Sequence, residues 1–115
     1  MARKPGAKIG LARDAGPAGW SVHPGEILRE EFMKPMGLTS YRLAKNLRIP
    51  AQRLHDVVLK KRGISADTAV RLARFFGTSE QFWMNLQGSY DIAGARRRSR
   101  QDLKRIAPLR RGSAA

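Results

Sequence analysis

Gln52, Arg53, His55 and Asp56 crowd into five consecutive positions, with Ala51 just before them. Gln52 can donate and accept in one plane, which suits the edge of an adenine, and Arg53 can grip either guanine or a phosphate. Leu54, Val57 and Val58 recur between them at helical spacing, so a helix here would turn those three inward. It would leave Ala51, Gln52, Arg53, His55 and Asp56 on its outer side, near its amino-terminal end. His55 then lies one turn beyond Ala51 and Gln52 on the same strip. This is recognition chemistry rather than bond-making chemistry. The acids and the two histidines, His23 and His55, do not gather into a general-base and phosphate-stabilising set on facing elements, so no catalytic residue is assigned. His23 with Glu26 and Glu30 does not read as a metal site, because isolated carboxylates on a helix are usually solvated. No metal or cofactor is expected.

A partner helix has to hold that strip outward. Leu43, Ala44 and Leu47 fall at helical spacing just upstream, and Arg48-Ile49-Pro50 separates the two segments, which outlines a helix-turn-helix. Thr39 or Ser40 can cap the first helix. Pro50 is read as the first residue of the second, where its missing amide costs nothing. Ala44, small and inward, lets the two axes approach at a steep angle. Both helices are too short to stand alone and need covering neighbours. In such a motif the amino-terminal end of the second helix enters the DNA major groove. The competing reading is a plain helical hairpin with a polar face.

The chain's 115 residues allow one small domain. With no cysteine, disulfides and thiolate metal sites are excluded. No apolar run nears the roughly 20 residues of a membrane helix, and no signal-peptide core is evident at the start, so a soluble, intracellular protein is expected. The net charge of +14 is uneven. Residues 1–22 carry a surplus of 3, residues 23–91 a surplus of 4, and residues 92–115 a surplus of 7. Such tails attract polyanions without reading sequence, nucleic acid first among them.

The covering elements follow in order. Residues 1–22 mix glycines and prolines with scattered cations and read as a flexible basic arm, with Trp20 and Val22 packing down just before the domain. Pro24 to Met33 reads as the first helix, with Ile27, Leu28 and Phe32 inward and Pro35 and Gly37 as its stop. Lys60-Lys61-Arg62 forms a basic turn in which Gly63 supplies a permissive backbone. Ser65 caps a helix that buries Ala69, Val70, Leu72, Ala73 and Phe76 and stops at Gly77, while Arg71 and Arg74 solvate its outer face. A last core helix is expected from Ser79 to Tyr90, with Phe82, Trp83, Leu86 and Tyr90 inward and in part at a subunit contact. Beyond it, residues 93–115 read as an arginine-rich tail, with room for a weak helix around Gln101–Ile106 ended before Pro108.

Between His23 and Ile92 several strings go further: His23-Pro24-Gly25-Glu26-Ile27-Leu28, Leu43-Ala44, Ile49-Pro50, and Arg62-Gly63-Ile64-Ser65-Ala66-Asp67-Thr68-Ala69 with Arg71-Leu72-Ala73-Arg74. To these add Phe76-Gly77-Thr78-Ser79, Phe82-Trp83-Met84-Asn85-Leu86-Gln87 and Tyr90-Asp91. With these strings the chain resembles the HigA-type antitoxins, a branch of the Xre helix-turn-helix repressors. The resemblance implies an all-α, five-helix, lambda-repressor-like domain over residues 23–92 that dimerises; the aromatic spacing places the dimer contact at Phe82, Trp83, Leu86 and Tyr90. It implies a palindromic operator at the protein's own promoter and a partner toxin of the HigB type, a RelE-like mRNA endonuclease, in the prokaryotic cytosol. In that reading Ala51, Gln52, His55 and Asp56 face bases, and Ser40, Tyr41, Arg42, Arg53, Lys60, Lys61 and Arg62 hold phosphates. The charge departs from the family, whose antitoxins are usually neutral or acidic. A stand-alone Xre-type regulator without toxin, and a sequence-blind basic nucleic-acid-binding protein, are the alternatives.

Overall fold

Helix starts are set by side chains that the sequence supplies at the right offsets. In the computed structural model, which describes residues 22–110, His23 accepts from the Gly25 amide through Nδ1 at 2.9 Å and opens α1 (Pro24–Ile27), with Pro24 at the first turn. Thr39 Oγ1 accepts from Arg42 at 3.2 Å and opens α2 (Ser40–Leu47). Ser65 does the same for α4 (Ala66–Phe76) and Ser79 for α5 (Glu80–Arg98). Each satisfies an amide that has no partner within its helix. Between α2 and α4 lies α3 (Ala51–Val58), and a short α6 (Arg100–Arg105) follows α5. No strand occurs among the described residues. The expected arm lies almost wholly outside them, Trp20 included; Val22 is half-buried against the core.

α1 runs straight into a π-helical segment, Leu28–Met33. The wider turn, closed where Lys34 donates to the Arg29 carbonyl at 2.9 Å, brings Leu28, Phe32 and Met33 all inward. Around them close Leu43, Leu54, Val57, Leu72 and Trp83, none of them measurably exposed. Each large side chain so buried contributes about 1.5–3 kcal/mol. Phe32 is the hub, with ring centroids 4.8 Å from Phe76 and 4.9 Å from Trp83. α1 crosses the end of α3 so closely that a Cβ at Gly25 would run into the Val57 carbonyl oxygen.

Several expectations are corrected. α5 does not close at Tyr90 but continues to Arg98, so the boundary expected after residue 92 falls inside a helix. Nothing between Asp91 and Arg98 breaks a helix, Ala93 and Gly94 are still buried, and Gln87 donates to Asp91 one turn on at 3.0 Å. Trp83 is wholly buried, its indole N–H donating to Thr78 Oγ1 at 2.7 Å; it is core and cannot be a subunit contact. Val70, expected inside, is 48% exposed. Pro50 stands one place before α3 as its cap residue, with its carbonyl accepting from Arg53 at 3.1 Å. In the basic turn the left-handed residue is Lys60 (φ 65°), whereas Gly63 is small because Gln87 packs against it.

Candidate nucleic-acid interface

The turn between α2 and α3 is built on a left-handed residue. Arg48 takes φ 60° and ψ 46°, its amide donating to Lys45 at 3.2 Å, while the amide of buried Ile49 reaches back to Ala44 at 3.1 Å. This is the Schellman pattern, usually closed by glycine. An arginine there is costlier by about 1–2 kcal/mol. Arg71 offsets part of that cost: its Nη1 donates to the Leu47 carbonyl at 2.9 Å and to the Arg48 carbonyl at 3.3 Å, and its Nε to Asp67 at 3.0 Å. Arg71 was expected only to solvate α4; it clasps the end of α2 instead. The Asp67-to-Arg71 spacing of one turn was the available signal.

Asp67 has a second partner. Arg53 Nη2 donates to it at 2.7 Å, so the expected phosphate ligand is half-buried and paired with a carboxylate of its own chain. The two guanidiniums, Arg71 before Arg53, hold the Asp67 carboxyl below the usual carboxylate range. Arg53 thereby fastens α3 to α4, as Arg71 fastens α2 to α4. A further tie went unseen in the sequence: the buried Gln87 accepts from the Ile64 amide at 2.6 Å and holds the loop after α3 against α5.

What α3 then presents outward is Ala51, Gln52 and His55, all exposed. Together with Ser40 and Tyr41 from the start of α2 they line one hollow of about 190 Å³. Base-facing and phosphate-facing candidates from two helices are therefore neighbours. Tyr41 is 64% exposed, with the Lys45 ammonium 5.8 Å from its ring centre, and Arg42 is exposed beside it. Asp56 is half-buried; it accepts from Gln52 Nε2 at 2.8 Å and lies 3.9 Å from Arg62. That bond fixes the Gln52 amide with its oxygen left for a donor. Lys61 and Arg62 are exposed, while Lys60 pairs with Glu26 at 3.1 Å. Pro50 offers α3 no side-chain cap, which leaves the first amides and the positive end of the helix open to an anion. Of the remaining residues expected at a subunit contact, Phe82, Leu86 and Tyr90 are each half-buried, Tyr90 edge-on to the His23 ring at 4.8 Å.

Two short helices joined by a left-handed turn, with a polar edge held outward by α1, α4 and α5, define a helix-turn-helix protein. The helix-turn-helix family model matches residues 30–83. Virulence-associated protein I of Dichelobacter nodosus is 48% identical over 89 residues, covering 77% of this chain and 82% of that protein. Antitoxin HigA-1 of Vibrio cholerae is 32% identical over 88 residues, covering 76% and 83%. Among solved structures, the Pseudomonas aeruginosa antitoxin HigA with the higBA promoter superposes with a TM-score of 0.76 at 44% identity, over 79% of this chain and 100% of that one. The chain belongs to the HigA-type antitoxins of the Xre helix-turn-helix family.

Proposed function

We propose that this chain is a sequence-specific DNA-binding repressor that acts as the antitoxin of a type II toxin-antitoxin pair in the prokaryotic cytosol. The observation that carries the reading is the shared edge of α2 and α3, where Gln52 and His55 stand exposed beside Ser40 and Tyr41. Gln52, Ala51 and His55 read base edges; Ser40, Tyr41, Arg42, Lys61 and Arg62 hold the backbone and set the register. A homodimer presents two such edges about 34 Å apart, one turn of duplex, on a palindromic operator. The toxin partner is of the HigB type, and the antitoxin's own role is binding, with no catalytic step.

The test compares operator and scrambled duplexes by fluorescence anisotropy. Gln52→Ala is expected to lose about 1–3 kcal/mol on the operator and to relax preference at one base pair. Lys61→Gln should instead weaken every duplex alike and reduce the salt slope by about 0.9. If Gln52→Ala lowers only non-specific affinity, α3 is not the reading helix. A regulator without toxin is the second reading, favoured by the net charge of +14, which ill suits neutralisation of a basic toxin. Co-purification with the product of the adjacent reading frame separates the two.

A further inference from the structure

We propose that the carboxy-terminal end of α5 and the segment α6 form a second nucleic-acid surface, which grips the phosphates of duplex DNA flanking the base pairs read by α3. This rests on the operator-binding reading above. Arg96, Arg97, Arg98, Arg100, Lys104 and Arg105 are all exposed, with Asp102 the one acid among them. Among the described residues none of these six cations is paired with a carboxylate. α6 buries no residue at all, and six residues are too few for a helix to be stable without a partner. The core therefore gives no reason for this segment, and its charge asks for a polyanion.

Position selects which polyanion. Where α5 leaves the domain, the Tyr90 ring lies against His23, and His23 sits within electrostatic reach of both Asp91 and Lys60. Lys60 opens the basic turn that follows α3. Arg96 to Arg98 come roughly 7–11 Å further along the axis of α5 at about 1.5 Å per residue, two or three base-pair steps of about 3.4 Å. Basic turn and arginine run thus lie toward one end of the domain, with Glu26, which pairs with Lys60, and Asp91 around the His23 between them, and in the proposed complex a duplex seated on α3 extends its next phosphates to the arginines.

The test uses the full chain and its Arg96→Gln, Arg97→Gln, Arg98→Gln triple variant. The probe is the duplex the protein selects from random sequence, trimmed to the selected base pairs or lengthened by about one helical turn, about 10 base pairs, on each side. The unaltered protein is expected to bind the long duplex about 10- to 100-fold more tightly, with a salt slope steeper by about 0.9 per added phosphate contact. The triple variant should bind both lengths alike, at the strength of the unaltered protein on the short one. No gain from the flanks, the same gain in the triple variant, or an equal loss on both lengths overturns the proposal. So does stronger competition by single-stranded RNA or by phosphatidylglycerol vesicles, toward which Leu103 and Ile106 would then be turned. Gln52→Ala keeps the two ideas apart: it should lose base preference and keep the gain from the flanks. A length-dependent gain with no base preference in the unaltered protein would refute reading by α3 alone.

Discussion

His23 shows how much one side chain carries. Its Nδ1 must be unprotonated to accept from Gly25, and burial first, then the Lys60 ammonium, lower its pKa, with Asp91 and Glu26 acting the other way. A lowered pKa means that the folded state prefers the neutral ring. The stabilisation is complete above the unfolded value of about 6.5 and is lost as pH falls through the folded value, because the unfolded chain takes up the proton first. Urea midpoints are therefore expected to drop between about pH 7 and about pH 5, and His23→Asn, which keeps a cap acceptor but does not titrate there, should flatten that drop. A slope unchanged in His23→Asn assigns the effect to other groups. Asp67 behaves likewise in the acid range: its lowered pKa gives stability that is present above the ordinary aspartate value and lost below it.

At the level of elements, α4 fixes the angle of the motif. Arg71 holds the end of α2, Arg53 holds α3, and both meet at Asp67. Arg71→Ala removes the donors from a turn already in a left-handed conformation, and since the guanidinium is partly exposed the loss is expected to be about 1 kcal/mol in urea melts. Operator affinity should fall with it, because the α2 and α3 contacts to DNA depend on their mutual angle. Base preference should be unchanged, as Gln52 keeps its place. If Arg71→Ala is as stable as the parent, the clasp contributes nothing and the Schellman turn suffices.

For the whole molecule the governing quantity is spacing between two copies. A dimer that places its two edges one duplex turn apart tolerates no half-turn error. Inserting about five base pairs between half-sites rotates one by half a turn and should reduce binding to that of a single half-site. A band-shift titration reads this directly, and undiminished affinity would mean that the copies bind independently. The buried Trp83 removes one residue from the expected contact, while Phe82, Leu86 and Tyr90 remain partly exposed.

The helices, their caps and the inward stripes of α2, α3 and α4 were legible because they are local: a cap acts over three residues and a stripe repeats every turn. Gln52 and His55 were legible for the same reason, since their exposure follows from the phase of Leu54 and Val57. What tertiary structure alone decided are the long-range partnerships. Arg53 and Arg71 each look like surface cations in the sequence, and only the approach of α4 to the motif supplies Asp67 and the free carbonyls that claim them. The end of α5 was missed because a run of arginines beyond Tyr90 reads as a solvated tail, whereas Ala93 and Gly94 are buried and Gln87 donates to Asp91 one turn on. Short-range chemistry set the elements and the exposed edge of α2 and α3; the fold chose which charges pair within the protein, because those partners come from distant parts of the chain.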